Sequence, residues 1–382
     1  MNKWILLILS LLVLSACEKD EPVPDVHVSV RTVLVWLAGD NNLYSEVPHK
    51  LSALAEGFRN SAPSDCRLLV YADRRGHYPQ LIEILPDGNQ SVLETYPAQN
   101  SASPETFSRF LNYMMETAPA RHYGLILFSH ATGWLPQGAL ENPTLEEKPL
   151  SRTVFDDNGE QMTLAELADA LPTDVRFDYI VFENCFMGGA EVAYTLRDKA
   201  DKLLVSSAEI LSPGFEEIYS SSLYRLFAPT PDLSGLAADY YNYRNAKSGN
   251  HRSATVSVIN TSAIPHLASL TSDIISGTSI DGIGSLDEEK MKTMQRFNRH
   301  DYTLFFDLEE YLCELAPNRA TEIRTAISEA VEYAAATADF MPTYDHGFHI
   351  ARHCGLTVYI PQPRFPALNT AYTETAWYRA TH

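Results

Sequence analysis

The sequence is short of several things. Only five of its 382 residues are cysteine, basic residues number 29 against 49 acidic, and beyond the N-terminus no apolar run approaches the length of a membrane span. The formal charge of −20 argues against nucleic acid as a partner, because a phosphate backbone needs a basic face. Cys66, Cys185, Cys313 and Cys354 are even in number but widely spread, with no framework spacing, so a disulfide scaffold is not indicated. There is also no internal repeat and no low-complexity tract. What is present, 45% apolar and 20% charged residues, suffices for one large domain or a domain with an attached lobe.

The N-terminus reads as an export signal. Met1-Asn2-Lys3 is a short positive region, and Trp4 to Leu14 is apolar apart from Ser10, too short to span a bilayer. Leu14-Ser15-Ala16-Cys17 matches a bacterial lipobox, which makes residues 1–16 a signal peptide and Cys17 the lipidated residue. Residues 17–30 then form a tether, with Glu18-Lys19-Asp20-Glu21 followed by Pro22 and Pro24. An acidic run at this place resembles the surface-export signal of Bacteroidetes lipoproteins, so the expected location is the outer membrane, at the cell surface, with the membrane contacted through the lipid on Cys17.

Along residues 31–228, short apolar runs alternate with helical stretches. Thr32–Leu37, Arg67–Tyr71, Tyr123–Phe128, Asp178–Phe182 and Lys202–Val205 read as buried strands, and Gln80–Leu85 as an antiparallel or edge strand. A helix opens at Ser103-Pro104-Glu105, with Phe107, Phe110, Leu111 and Met114 on one face. Thr163 and Glu166 form a capping box for a second, and Gly189–Lys199 is amphipathic. The alternation predicts an α/β fold with a mostly parallel sheet covered on both faces. Residues 229–382 read as mostly helical, over 232–246, 262–276, 286–297, 304–315 and 320–339, with a returning strand at 356–360. Residues 135–161 form a long polar loop.

Two polar residues follow strands directly, His130 after Tyr123–Phe128 and Cys185 after Tyr179–Phe182. Ligands of open α/β sheets bind at the carboxyl ends of strands, so if these strands are neighbours the two side chains share one crevice. Cys185 also precedes the 189–199 helix, whose N-terminus would favour a thiolate, and His130 can serve as general base or proton donor. The competing reading is a small core cysteine and an unrelated loop histidine. The order and spacing decide between them. Ser129-His130 followed 55 residues later by Glu183-Asn184-Cys185 is the arrangement of caspase-type peptidases.

Several segments in order resemble the clostripain family of cysteine peptidases, of the clan that includes caspases, gingipains and legumains. Thr32–Trp36 with Gly39-Asp40-Asn41-Asn42-Leu43 is similar to its opening strand and Asp-Asn motif, and His122–Leu127 with Ser129–Trp134 to its histidine segment. Phe155-Asp156-Asp157 through Leu167 resembles its connecting segment, Asp178–Met187 through Tyr194 its nucleophile segment, and Phe306–Leu308 and Gly355–Pro361 weaker C-terminal features. The resemblance implies a caspase-like α/β/α sandwich over residues 31–228. It also implies a Cys185–His130 dyad forming an acyl-enzyme, with the backbone N–H groups of Cys185 and Ala131 as the oxyanion site. Protein or peptide substrates would be cleaved after Arg or Lys. Self-cleavage in the loop would fall at Lys148 or Arg152, and calcium dependence is common, although the chemistry itself requires no cofactor.

The chain departs from the family at three places. Ala131 stands where the family has Gly, which matters only if the position needs a left-handed backbone. Glu183 stands where it has Asp, and strand alternation would put residues 183 and 185 on one face, so Glu183 is expected in the substrate (S1) pocket. Ser206–Ile210 only partly matches the family's acidic run, which leaves Glu209 as the second S1 residue. Both carboxylates suit a basic P1 side chain. These departures sustain two rivals, a degenerate surface binding protein on the same fold and an active peptidase with non-basic preference. Asp40, Asp73, Asp156 and Asp157 are acidic enough for calcium but lack EF-hand spacing, so the metal ligands are unknown. His346, His349, His353 and Cys354 match no zinc pattern and read as structural. The sequence carries no signal for oligomeric state.

Overall fold

The structure is a computed structural model that describes residues 27–61, 64–144, 154–278 and 286–382. Cys17, Lys148 and Arg152 lie outside the described residues. Among the described residues no helix is long and apolar enough to cross a membrane.

Strand β1 (Ser29–Gly39) is apolar on both faces and buried almost throughout, as a central parallel strand must be. It pairs in parallel with β2 (Cys66–Arg74) on one side and β5 (Ala120–Phe128) on the other. Strands β8 (Phe177–Glu183) and β9 (Ala200–Val205) continue the parallel run beyond β5. Alternate residues face opposite layers. Leu34, Trp36, Leu125, Leu127, Ile180 and Phe182 pack against α2 (Pro104–Thr117), α3 (Leu164–Ala170) and α4 (Ala190–Thr195). Val33, Val35, Leu37, Ile126, Phe128 and Val181 pack against α1 (Val47–Ser61) and α5 (Glu216–Ser222). This is the caspase-like α/β/α sandwich. The helix starts follow their sequence signals: Ser103 accepts the Thr106 N–H at α2, and Thr163 and Glu166 form a capping box at α3.

Nine strands make the sheet, in the order β12-β10-β9-β8-β5-β1-β2-β3-β4. Strand β3 (Gln80–Ile84) is antiparallel to β2, as expected, but it is not the edge. That place belongs to β4 (Gln90–Thr95), whose residues are exposed on both faces and carry no alternating signal. Residues 229–382 carry the helices expected over 232–246 and 262–276, at Leu233–Asn245 and Ile264–Thr278, and add two strands that were not expected: β10 (Thr255–Asn260) pairs antiparallel with β9, and β12 (Val331–Ala336) pairs antiparallel with β10. The helix expected over 320–339 ends at Ala330, where the chain turns into β12 despite three successive alanines, because edge pairing outweighs helix propensity there. The helix expected over 286–297 is one turn, Glu288–Met291. The one expected over 304–315 is preceded by β11 (Phe306–Asp307), which pairs with Thr357–Val358, a returning strand shorter than 356–360. Between β5 and β8 a hairpin, β6 (Phe155–Asp157) and β7 (Glu160–Met162), folds back over the ends of the parallel strands.

Candidate active site

Register brings the two sequence-predicted residues together. The last rung between β5 and β8 is Phe128 with Glu183, and His130 and Cys185 each stand two residues beyond it. The chain leaves β1 toward β2 and returns to β5 on the opposite side, so the crevice opens where the strand order reverses. It encloses about 480 Å³, and its walls include Asn42, His130, Ala131, Asp156, Cys185 and Glu209.

The histidine side is braced by polar side chains at the strand ends. Asn42 Oδ1 accepts the His130 Nε2 proton, which leaves Nδ1 as the basic nitrogen of the neutral ring. Burial holds the His130 pKa below its ordinary value, against the pull of Asp156 and Glu46. Asn41 Nδ2 donates to the carbonyls of Ala38 (3.2 Å) and Asp156 (2.8 Å), and Ser129 Oγ accepts the Asp156 N–H at 3.1 Å. Asn184, beside the nucleophile, donates to the carbonyls of Ser129 (3.0 Å) and Val154 (3.1 Å), tying the cysteine turn to the histidine loop.

Strand β8 ends at Glu183, and the chain turns sharply through Cys185 and Phe186. Phe186 sits at φ 59°, a backbone region that bulky residues rarely adopt. Its ring stacks on Phe305 at 4.8 Å, and the turn is tied by Phe186 N–H to Ala208 O (3.1 Å) and Gly188 N–H to Ser206 O (2.8 Å). Gly133, at φ 65°, meets this turn closely: a Cβ there would lie 2.6 Å from the Phe186 carbonyl oxygen. The half-buried Cys185 Sγ accepts the Ile210 N–H at 3.4 Å. Burial, and then the Glu209 carboxylate, push its pKa up to about 12. The helix N-terminus expected to favour a thiolate does not directly follow Cys185. Helix α4 starts only at Ala190, and the intervening turn separates it from the sulfur.

The two expected S1 carboxylates are placed very differently. Glu183 is 4% exposed and does not line the crevice. Its Oε2 is paired with Lys50 Nζ at 2.6 Å and accepts the Phe215 N–H at 3.1 Å, while Oε1 accepts from the Tyr219 hydroxyl. Alternation does not carry from 183 to 185 because the strand stops at 183: Glu183 stays on the α1/α5 face, whereas Cys185 packs against the opposite layer. Gly214 (φ 70°) makes room for this carboxylate, since a Cβ there would stand 2.9 Å from Oε2. Glu209 does line the crevice, and its Oε1 accepts from Arg299 Nε at 3.0 Å. Ala131 is not among the left-handed residues, so the loss of glycine imposes no backbone strain.

Residues that the sequence reading gave no role complete the site. Asn42 lies in the turn after β1, where the strand-end rule applied to His130 would have found it too. Lys50 falls on the apolar face of α1, with Val47, Leu54 and Phe58, which is an anomaly visible in sequence. Arg299 lies in an irregular segment with no sequence signal.

Of the acidic residues considered for calcium, three are engaged by protein groups. Asp157 Oδ2 accepts from the Ser101 Oγ (2.9 Å) and N–H, Gln161 Nε2 donates to Asp156 (3.1 Å), and Arg75 pairs with Asp40 (3.7 Å). Burial, and then the neighbouring Asp157, push Asp73 up to about 7, and its buried Oδ2 has no hydrogen-bond partner. Among the described residues no three His, Cys, Asp or Glu side chains converge as a metal set. The C-terminal histidines are dispersed: His346 pairs with Asp301, His349 with Asp339, and half-buried His353 Nε2 with Ser207 Oγ at 3.0 Å. All four described cysteines are free thiols.

A caspase-like sandwich with a histidine and a cysteine past the ends of adjacent parallel strands defines a cysteine peptidase. The clostripain family profile matches residues 35–340, and the chain belongs to that family. Clostripain of Hathewaya histolytica is 26% identical over 217 residues, 48% of this chain and 40% of that one, so the match spans less than half of that protein's length. An inactive zymogen C11 protease from Parabacteroides distasonis shares 30% identity with a TM-score of 0.80, over 94% of this chain and 99% of its own. A secreted C11 cysteine protease from Bacteroides thetaiotaomicron, solved with an irreversible peptide inhibitor, shares 26% identity with a TM-score of 0.77, over 93% and 99%.

Proposed function

We propose that this peptidase cleaves after Arg or Lys through a Cys185–His130 dyad, at the outer face of the cell envelope. The observation that carries the proposal is that His130, Cys185 and Glu209 share one crevice, where Glu209 already binds a guanidinium. Glu183, held by Lys50, is a support of the strand end and is left out of P1 recognition.

Free Cys185 is a thiol and free His130 is neutral, given the directions of their shifts. His130 Nδ1 takes the thiol proton as Sγ attacks the scissile carbonyl. The tetrahedral oxyanion is met by the N–H groups of Cys185 and Ala131, neither of which donates elsewhere among the described residues. The imidazolium then protonates the leaving amine, giving a thioester and the released C-terminal product. A water, deprotonated by His130, attacks the thioester, and the thiolate leaves and regains the proton. No step passes through calcium.

The proposal is tested with residues 25–382 and fluorogenic peptides varied at P1. Glu209→Gln is expected to lower kcat/KM for P1 Arg and Lys by about 10- to 100-fold, the value of one charged contact, while sparing neutral P1 peptides. An equal effect on all peptides removes Glu209 from P1 recognition. No turnover of any peptide, with or without calcium, favours the binding-protein reading. Lys148 and Arg152 are proposed as self-cleavage sites, visible as two fragments by mass spectrometry. Anchoring is proposed at Cys17: Cys17→Ser is expected to move the protein from the membrane fraction to the soluble one, and unchanged membrane retention would remove the lipid anchor.

A further inference from the structure

The crevice carboxylate is not vacant. Glu209 Oε1 accepts a single hydrogen bond, from Arg299 Nε at 3.0 Å, while its buried Oε2 has no hydrogen-bond partner. Arg299 belongs to the segment 298–303, whose base is fixed. Buried Asn298 donates to Tyr302 O (2.8 Å) and accepts the Leu304 N–H (3.0 Å), and Arg296 Nε donates to Asn298 O (2.9 Å). The Arg299 side chain itself is partly exposed, with its guanidinium 5.9 Å from the ring centroid of solvent-exposed Tyr344. A rigid backbone thus presents a side chain that reaches inward to Glu209 and borders solvent on the other side.

We infer that Arg299 is an internal competitor of the substrate, occupying Glu209 as a P1 arginine would, so that every basic P1 residue must displace it and Arg299 sets how strongly such residues are preferred. The inference rests on the reading of Glu209 as the P1 carboxylate. Charge gives it force. A second cation brought to one carboxylate is repelled by the first, whereas a neutral P1 side chain meets a carboxylate that is already compensated. The half-used carboxylate also makes displacement feasible. An incoming guanidinium can take both oxygens as a fork, where Arg299 takes one. A lysine ammonium lacks that fork, so the resident arginine disfavours P1 Lys more than P1 Arg.

The test uses Arg299→Gln, which removes the charge and shortens the side chain by the guanidinium carbon and its two Nη groups, in residues 25–382 at pH 8, an alkaline pH chosen because burial pushes the Glu209 pKa up. The expected result is a rise of roughly tenfold in kcat/KM for P1 Arg and a larger rise for P1 Lys, carried by KM. Neutral P1 peptides should stay within about twofold. In the Cys185→Ala background, calorimetry should show a peptidyl-arginine amide binding roughly tenfold tighter when Arg299 is also Gln, a readout independent of turnover. If Arg299→Gln leaves basic peptides unchanged or weakens them while Glu209→Gln abolishes their preference, the competitor role is wrong and the P1 reading stands. If Glu209→Gln has no selective effect, the P1 reading falls and takes the inference with it.

Discussion

Cys185→Ala is expected to abolish peptide hydrolysis, by about 10⁴-fold or more, and to leave the fold intact. The magnitude follows from covalent catalysis: without the sulfur there is no acyl-enzyme, and the rest of the site does not substitute for it. The fold survives because the side chain is half-buried, makes one weak hydrogen bond, and loses a single heavy atom. The raised thiol pKa adds a pH signature. The native state keeps a proton that the unfolded chain gives up above about pH 8.5. This contribution to stability is therefore complete below that pH and is lost as pH rises toward about 12. Denaturant titrations should show the wild type losing stability relative to Cys185→Ala over this window. Alkylation of the free protein by iodoacetamide should be slow at neutral pH and accelerate as pH rises. Rapid alkylation at pH 7 would show that the thiol is ionised and that the burial argument fails.

Lys50→Met is expected to cost about 3–5 kcal/mol of unfolding free energy, the largest stability loss predicted for a single side chain here. Both partners of the Lys50–Glu183 pair have side chains only 1% exposed, at 2.6 Å. Removing the ammonium leaves a buried carboxylate with only the Tyr219 hydroxyl and the Phe215 N–H to offset it. Lys50 also lies 4.3 Å from the Phe128 ring centroid, beneath the strand that leads to His130. Activity should fall with stability, because both dyad residues follow the Phe128–Glu183 rung. Glu183→Gln combined with Lys50→Met should recover much of the loss, since no uncompensated charge remains. Urea titration of the two single variants and the double variant measures the coupling. A loss below about 1 kcal/mol in Lys50→Met would mean that the pair is not a structural element.

The contrast between Cys185 and Glu183 shows what sequence can resolve. His130 and Cys185 were legible because their positions depend on strand ends, and strands buried on both faces announce themselves as continuous apolar runs. Helix starts were legible where a side chain closes on its own backbone, as at Ser103 and Thr163. Glu183 was misread because alternation says which face a residue takes only while the strand lasts, and here it ends at that residue. Its partner lies 133 positions away on α1, and no local pattern encodes so distant a charge. Strands β10 and β12 were missed for different reasons. Thr255–Asn260, with four β-branched residues, carried a strand signal that went unread, whereas the alanine-rich Val331–Ala336 has a weak pattern and becomes a strand by pairing at the sheet's flank.

The order of the sheet has one further consequence. Strands β1 to β5 occupy one unbroken block and strands β8, β9, β10 and β12 the other, and the single border between them is the pairing of β5 with β8. One block carries His130 and the other Cys185, so the crevice is an interface between two sequence-contiguous half-proteins, much as in a heterodimer of unlike subunits. A chain break between Leu140 and Phe155 would leave each half-sheet whole, with its partner still zipped along the border. The enzyme is in this sense a two-piece assembly made as one chain, and complementation by separately produced halves is the natural consequence of its topology.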